Sequence, residues 1–323
     1  MTEKKGNSTG FVGVITNMAS FNNEVGENAG SRRTSQGDFY ATHYKMKWLI
    51  REYYARLNGD KSVLVKSSTY EDKTTGNLSV RTLQERLQYL FDLDDATYKE
   101  LNSVDLMNYV LTKKDVKNFG VALPVEKKQV KITGVTQLSY ALNNYKETEE
   151  QVIQINGSYA TKSGAMQPTL GRRKFLDFAN YIYNFTIQPD MLSENVLGVT
   201  VTPYTEADYN WFKKGVLRAA QTNQSSSTGS YVGYGMFIDL NLGEDLIQSN
   251  FNDYISTEKV DDKYVVDFTR LVHYLEENKE AIQAMELYLA KNIQLEFSAI
   301  EELEKIGVQI KDMADARKIT LED

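Results

Sequence analysis

The N-terminal part of the sequence places a short apolar run before a long polar segment. Residues 11–16, FVGVIT, are mainly β-branched and aromatic and are bounded by glycine and asparagine. This pattern is typical of a buried strand. Residues 17–38 are polar, rich in glycine and asparagine, and contain Arg32 and Arg33. Loops of this length in a compact domain are usually functional, so we expect this loop to carry part of a site.

Residues 44–57 have the periodicity of an amphipathic helix. Met46, Leu49, Ile50 and Tyr53 recur at positions i, i+3, i+4 and i+7 and form one apolar stripe. The basic residues of this segment lie elsewhere on the predicted cylinder, at Lys45, Lys47, Arg51 and Arg56. We therefore expect a helix that packs by one stripe and presents positive charge on the rest of its surface.

The remainder of the chain mixes predicted helices and strands. Residues 82–93 and 94–111 favour helices, and residues 113–137, with six lysines, favour two strands around a proline. Strands are also predicted at 175–187 and 231–240. A helix is predicted over 206–220, because Thr205 is a suitable N-cap and Asp208 follows three residues later. From residue 268 onward the sequence is amphipathic and acidic, and we expect it to be helical.

Composition narrows the chemistry. The 323 residues include no cysteine and only two histidines, His43 and His273. Disulfides, thiolate metal sites and cysteine nucleophiles are therefore excluded. No stretch approaches eighteen consecutive apolar residues, and the N-terminus lacks the apolar core of a signal peptide. These features predict a soluble, cytoplasmic protein with no membrane partner and no cofactor.

The charge of the chain is unevenly distributed. The formal net charge is −7, which by itself argues against a nucleic-acid partner. Residues 1–218, however, hold 28 basic and 24 acidic residues, whereas residues 219–323 hold 9 basic and 20 acidic residues. The acidity therefore belongs to the C-terminal third, and the first two thirds can still form a basic surface.

Enzyme motifs are missing from the sequence. Neither GxxxxGK[ST] nor GxGxxG occurs, and a serine triad would have to use His43 or His273. Residues 92–95, DLDD, begin like a calcium loop but lack its central glycine and terminal glutamate. Asp261 and Asp262 lie in a polar turn, where solvation explains them better than acid–base catalysis. We predict no catalytic residue and no metal ligand.

Five basic clusters are separated in sequence, and all of them precede residue 175. They are Arg32–Arg33, Lys45/Lys47/Arg51, Lys113/Lys114/Lys117, Lys127/Lys128/Lys131 and Arg172–Lys174. Each cluster alone favours a solvated charged face, but five without matching acidic blocks favour convergence on a phosphate-binding surface. Ser225, Ser226 and Ser227 form either a flexible linker or a loop of donors suited to phosphates. Composition leaves those two alternatives open.

In order along residues 11–245, several segments resemble the CRISPR-associated backbone subunit of Cascade, the "Cas seven" group, and most closely its type I-B branch. The segments are VGVI at 12–15 with SFNN at 20–23, the basic helix THYKMKWLIREY at 42–53, DVKNFG at 115–120, ITGVTQ at 132–137 and YTEAD at 204–208 with its helix and serine loop. Three positions depart from the family's patterns. Residues 22–27 replace N-x-N-G-D, Lys117 stands where arginine is common, and Thr136 stands where valine is common.

The resemblance implies a fold class of α+β with an RRM-like (ferredoxin-like) palm, a helical finger insertion and a β-hairpin thumb. The implied palm comprises residues 10–59, 112–142 and 175–270, the finger about 60–111 and the thumb about 143–174. The acidic region 271–323 is expected to be helical. These parts would form one elaborated domain of 323 residues.

The resemblance also implies partners and a role. Copies of the chain would polymerise along a crRNA, contact other Cascade subunits, and present the guide for pairing with target DNA. The implied RNA-binding residues are Ser20, Asn22, Asn23, Arg32, Arg33, Lys45, Lys47, Arg51, Lys117, Met166, Gln167, Arg172, Arg173, Lys174, Ser225, Ser226 and Ser227. Met166 and Gln167 would lie at the thumb tip, where an apolar side chain can insert between bases.

Two other functions remain open at this stage. Related type III subunits cleave target RNA with an aspartate in the first loop, but before Asp38 this loop offers only Glu24 and Glu27. We therefore expect no nuclease activity. The second alternative is a protein-interaction subunit that docks a partner through its acidic C-terminal region without RNA.

Overall fold

The computed structural model describes residues 2–24, 26, 30–124, 128–156, 170–222, 229–245 and 250–322. Helices in these ranges are α1 (His43–Asn58), α2 (Leu83–Phe91), α3 (Asp95–Glu100), α4 (Ser103–Leu111), α5 (Lys114–Phe119), α6 (Glu194–Leu197), α7 (Glu206–Thr222), α8 (Thr269–Glu277) and α9 (Ile300–Lys305). The strands are β1 (Ser8–Ala19), β2 (Tyr40–Ala41), β3 (Thr69–Glu71), β4 (Leu78–Val80), β5 (Val121–Leu123), β6 (Val130–Ile132), β7 (Thr136–Leu138), β8 (Ala141–Asn143), β9 (Glu150–Asn156), β10 (Leu170–Ile187), β11 (Ser230–Leu240), β12 (Ser256–Val260), β13 (Lys263–Asp267), β14 (Ile282–Leu289), β15 (Leu295–Ser298) and β16 (Gln309–Asp312). The class is mixed α+β, as predicted.

A nine-stranded sheet organises the molecule. Its strand order is β16-β14-β11-β1-β10-β8-β2, and β7 and β9 also pair with β10. β1 is antiparallel to both of its neighbours, β10 and β11. The strand predicted at 11–16 is therefore confirmed and is longer, because its pairing continues at both ends. A three-stranded sheet, β12-β13-β15, and two hairpins, β3-β4 and β5-β6, complete the strands of the described ranges.

The main sheet is covered on both faces. Val12 and Val14 of β1 face a core formed with α1 and α7, whereas Phe11 and Ile15 face a second core that includes residues of α8 and β13. All four side chains are buried. Burial on both faces explains why the strand reads as a continuous apolar run instead of an alternating one.

Helices α1 and α7 pack closely on one face of the sheet. The rings of Tyr54 and Trp211 stack with centroids 4.4 Å apart, and the Tyr54 hydroxyl donates to the Trp211 carbonyl at 2.7 Å. A Cβ atom at Gly215 would lie 2.8 Å from Ile50 Cγ2. Glycine is therefore required there for the two helices to approach. The predicted N-terminus of α7 is also confirmed, since Thr205 Oγ1 accepts from Asp208 N at 3.2 Å.

The C-terminal prediction is wrong. Residues 271–323 are not a helical region, because β14, β15 and β16 lie between α8 and the chain end. β14 pairs with β11 and β16 pairs with β14, so both extend the main sheet. These strands were not predicted from the sequence because each of them contains an acidic residue. Glu286, in the middle of β14, is bound by Lys213 at 2.8 Å and Lys311 at 2.5 Å.

The segment that begins at residue 113 also differs from its prediction. Residues Lys114–Phe119 form helix α5 before the two predicted strands. Lys117 on this helix is buried, and its ammonium donates to Asp208 Oδ2 at 2.8 Å and to the Pro203 carbonyl at 2.9 Å. This placement corrects the prediction that Lys117 binds RNA. Its charge is used inside the protein to attach α5 to the start of α7.

We expect Lys117→Ala to lower the free energy of unfolding by about 3–5 kcal/mol, because it leaves the buried Asp208 carboxylate without its cation. Urea denaturation followed by far-UV circular dichroism measures this loss. The matched control is Lys131→Ala, which removes the same charge from an exposed position on β6. Equal stabilities of the two variants would contradict a structural role for Lys117.

Candidate nucleic-acid interface

The polar loop after β1 is fastened to the base of the β9-β10 hairpin. Ser20 Oγ donates to the Lys174 carbonyl at 2.7 Å. The Glu150 carboxylate accepts from Ser31 N at 2.9 Å and lies 4.0 Å from the cationic groups of both Arg33 and Lys174. Glu150 therefore joins the loop, β9 and β10 at one point. Ser20 is itself buried, so its hydroxyl holds the loop in place.

Three polar atoms of this loop are buried without a hydrogen-bond partner among the described residues. They are Asn23 Oδ1, Ser31 Oγ and Arg32 Nε. Asn23 and Ser31 face each other across an isolated β-bridge, and Arg32 follows directly. Leaving such a group unpaired costs about 1–3 kcal/mol. Buried polar groups are nearly always satisfied, so these three atoms are available to bind water or another molecule.

Asn22 has a structural role in the same loop. Its Oδ1 accepts from the backbone N of Thr42 at 2.8 Å and from the Thr42 hydroxyl at 3.0 Å. The Thr42 hydroxyl in turn accepts from Lys45 N and caps α1. Asn22 therefore orients the first turn of α1, from which Lys45 and Lys47 project.

Lys45 and Lys47 are half-buried cations that form no salt bridge within the described part of the chain. Lys45 Nζ lies 4.7 Å from the Trp48 ring centroid, and Lys47 Nζ lies 5.4 Å from that of Phe119. Burial lowers the pKa of Lys45. Burial, together with the nearby charge of Arg51, lowers the pKa of Lys47 to about 8. An anion would relieve both effects, because opposite charge favours the protonated amine.

Arg51, the third basic residue predicted on this helix, is held inside the protein. Its Nε donates to Asp115 Oδ2 at 3.1 Å, and Asp115 is fully buried. The same carboxylate accepts from Leu64 N at 2.9 Å and Val65 N at 3.0 Å. The Arg51 guanidinium thus joins α1 to α5, and the Asp115 carboxylate also binds residues 64–65. This placement argues against the predicted phosphate contact.

Arg172, Arg173 and Lys174 lie on β10 where it pairs with β9, opposite Gln154, Ile153 and Val152. Arg172 is exposed, and the other two are half-buried. Strands β9 and β10 therefore form the two arms of a hairpin, and the β10 arm carries the basic residues. Met166, Gln167, Ser225, Ser226 and Ser227 lie outside the described residues.

An aromatic patch lies beside Lys45 and Lys47 and was not predicted from the sequence. His43, Tyr44 and Tyr140 form its core, with His43 centred 4.1 Å from Tyr44 and 5.0 Å from Tyr140. Tyr44, Trp48 and Tyr140 are 68%, 43% and 50% exposed. Exposed rings beside cations provide the stacking surfaces that single-stranded nucleic acids use. The available sequence signal was the i, i+4 pair Tyr44 and Trp48, which flanks the two lysines on both sides.

Comparison with known protein families shows the family of this chain. Residues 10–269 match the family model of CRISPR-associated protein Cas7. The chain belongs to the Cas7 family. The match includes the loop after β1, helices α1 and α5, the β9-β10 hairpin and α7, and it ends before β14. No curated protein matches the chain.

The fold is also found in a solved structure. A chain described as "CRISPR RNA-guided surveillance complex" matches with a TM-score of 0.50 at 11% identity, covering 90% of this chain and 93% of the other. A second, described as "CRISPR RNA-guided surveillance complex, pre-nicking", has a TM-score of 0.48 at 12% identity, with 98% of each chain covered.

The described ranges of this Cas7 chain contain no cluster of three His, Asp or Glu side chains able to hold a metal ion. Within the same ranges, no helix is sufficiently long and apolar to cross a bilayer. The groups gathered at the interface are instead cations, aromatic rings and unpaired polar atoms.

We expect Glu150→Ala to release the loop. The Ser31 amide loses a hydrogen bond to a charged acceptor, so its hydrogen exchange should accelerate about tenfold or more. Exchange measured by NMR at Ser31 tests this expectation. Glu149→Ala, an exposed carboxylate one residue earlier, is the control and should leave the rate unchanged. Similar rates in wild type and both variants would contradict the role assigned to Glu150.

Proposed function

We propose that this chain is the guide-RNA-binding backbone subunit of a type I CRISPR Cascade complex, polymerising along the crRNA. The proposal rests on the candidate interface described above, which lies in a chain of the Cas7 family. Lys45 and Lys47, which have no acidic partner among the described residues, lie on the helix that follows a loop with three unsatisfied polar atoms. The type I-B branch remains a prediction.

The proposed contacts are with the sugar-phosphate backbone. Lys45, Lys47, Arg32 and Arg33 would bind phosphates, and the Tyr44 and Trp48 rings would stack on bases. Arg172, Arg173 and Lys174 would add charge along the hairpin. None of these contacts distinguishes one sequence from another. The guide would select target DNA by base pairing, while the protein supplies shape and charge.

The strand order supports an RRM-like palm. β11-β1-β10-β8 has the order 4-1-3-2 of a ferredoxin-like sheet when α1 follows its first strand and α7 follows its third. Residues 60–111, with β3, β4 and α2–α4, would be the finger insertion. The β9 and β10 arms would belong to the thumb. Neighbouring copies would be held by the RNA that they share.

We further propose that the chain is not a nuclease. Among the described residues of the first loop before Asp38, Glu24 is the one acidic residue, and its side chain is exposed. Its predicted companion, Glu27, lies outside the described residues. The alternative is a type III-like target-RNA nuclease. Cleavage of a complementary RNA at fixed spacing in Mg²⁺, abolished by Glu24→Gln, would favour that alternative.

Co-expressed with a guide RNA and its operon partners, the wild-type chain should purify with RNA of uniform length and several protein copies per strand. Lys45→Ala combined with Lys47→Ala should weaken RNA binding and reduce the slope of log K against log salt by about 1.4, because each contact to a single strand contributes about 0.7. Filter binding over a salt series measures the slope.

The matched control is Lys279→Ala with Lys305→Ala, which removes two exposed lysines from the acidic region. Its slope should equal that of the wild type. A wild-type chain that purifies as a nucleic-acid-free monomer under this co-expression would contradict the proposed function. An unchanged slope in the Lys45 and Lys47 double variant would contradict the assigned surface.

RNA affinity should fall as pH rises from 7 to 9. The folded-state pKa of Lys47 is lowered to about 8, so at pH 9 the free chain has lost this proton and must recover it to bind a phosphate. One pH unit above the pKa, protonating the amine again on binding lowers the affinity about tenfold per site. Binding of a short RNA measured at constant ionic strength tests the prediction.

Lys47→Arg provides the discriminating variant. Arginine stays protonated throughout this range, so its affinity should be nearly independent of pH. If the variant shows the same decline as the wild type, groups other than Lys47 control the pH dependence.

A further inference from the structure

A polar cavity lies in the 60–89 segment, away from the loop and lysines described above. Its volume is about 260 Å³, and its walls include Lys66, Ser67, Ser68, Thr69, Arg81 and Tyr89. Hydroxyls and cations dominate this lining, and the one carboxylate that also borders the cavity belongs to Asp60. The wall is therefore rich in hydrogen-bond donors.

Two of these donors are buried and unpaired. Arg81 Nε and Ser68 Oγ have no hydrogen-bond partner among the residues that the structure describes. The β3-β4 hairpin brings them together, because Arg81 N donates to the Ser68 carbonyl at 2.9 Å, one step beyond the Thr69 and Val80 pair. Two unsatisfied donors at the open end of this hairpin thus border the same cavity.

The Arg81 guanidinium is oriented by aromatic rings. Its Cζ lies 4.3 Å from the Tyr89 ring centroid and 4.9 Å from that of Tyr70. Contacts with ring faces stabilise the cation without using its N–H groups. An arginine held in this way can offer its planar donors to an oxyanion.

The nearby carboxylates are bound by other groups. Asp60 is held by Arg86, which donates to both its side chain and its carbonyl. Glu52 is held by Lys66 at 2.5 Å. Glu85 accepts from Thr82 N at 2.7 Å in the capping box of α2, and this hydrogen bond lowers its pKa. Arg81 forms no salt bridge within the described ranges. The charges of Lys66, Arg81 and Arg86 balance those of Asp60, Glu52 and Glu85, and Arg81 acts on Glu85 through its charge without a salt bridge. The cavity therefore offers a ligand the unpaired donors of Arg81 and Ser68.

We propose that this cavity binds a phosphate of a nucleic-acid backbone, with Arg81 and Ser68 as its principal donors. The inference rests on the proposed function for the source of the phosphate. Guide RNA and the target DNA strand share this chemistry. Arg81 is a single basic residue outside all five basic clusters, which explains why sequence patterns did not indicate it.

The first test is independent of RNA. Titration of the full chain with inorganic phosphate, followed at the Arg81 Nε–H by NMR, should give a saturable shift. Ser68→Ala should weaken this binding, whereas Lys73→Gln, an exposed cation in the turn of the same hairpin, should leave it unchanged. A wild-type chain without a saturable shift would overturn the site even if the chain binds RNA elsewhere.

The second test identifies the source. In complexes assembled on guide RNA, Arg81→Gln should reduce the salt slope by about 0.7, either for guide-RNA binding or for target-DNA binding. Arg81→Lys, which keeps the charge, should retain most of the slope and shows that the hairpin still folds. Wild-type slopes for both strands in Arg81→Gln would overturn the nucleic-acid assignment. Complete absence of RNA binding by the wild type would instead refute the proposed function.

Discussion

The structure depends on the burial of β1 on both faces and its pairing on both edges. Phe11 and Ile15 enter one core while Val12 and Val14 enter the other, so this strand contributes to both cores. Its neighbours β10 and β11 come from distant parts of the chain. The strand also ends where the polar loop begins. The position of the candidate interface is therefore set by the same apolar residues that join the two cores.

The charged residues of this protein fall into two groups with different roles. Arg51, Lys117 and Arg86 are fixed in ion pairs with Asp115, Asp208 and Asp60, and they connect elements that are far apart in sequence. Within the described part of the chain, Lys45 and Lys47 have no such partners, and both have lowered pKa values. In this chain a basic cluster in sequence is therefore not one functional unit. In the Lys45/Lys47/Arg51 cluster, Arg51 forms an ion pair inside the protein, whereas Lys45 and Lys47 lie at the surface, partly buried.

Elements with complete or one-sided burial were predictable from sequence. β1, α1 and α7 have apolar patterns contained within one element, and Thr205 marks the start of α7 locally. α5 and β14 were not predictable, because their charges are neutralised by distant residues. Lys117 meets Asp208 across 91 positions, and Arg51 meets Asp115 across 64. The loop and the two lysines of the site followed from composition and family resemblance. Glu150 and the aromatic patch did not, since their meaning arises only from tertiary proximity.

The attachment of β14 has a consequence for where this chain can be divided. The family match ends at residue 269, yet β11 pairs with β14 beyond that point, and Glu286 of β14 binds Lys213 of α7. A fragment ending at 269 would expose the full edge of β11, and unpaired strand edges promote intermolecular association. It would also leave the buried ammonium of Lys213 without its counter-ion. The boundary of recognisable family sequence is thus not a boundary of independent folding.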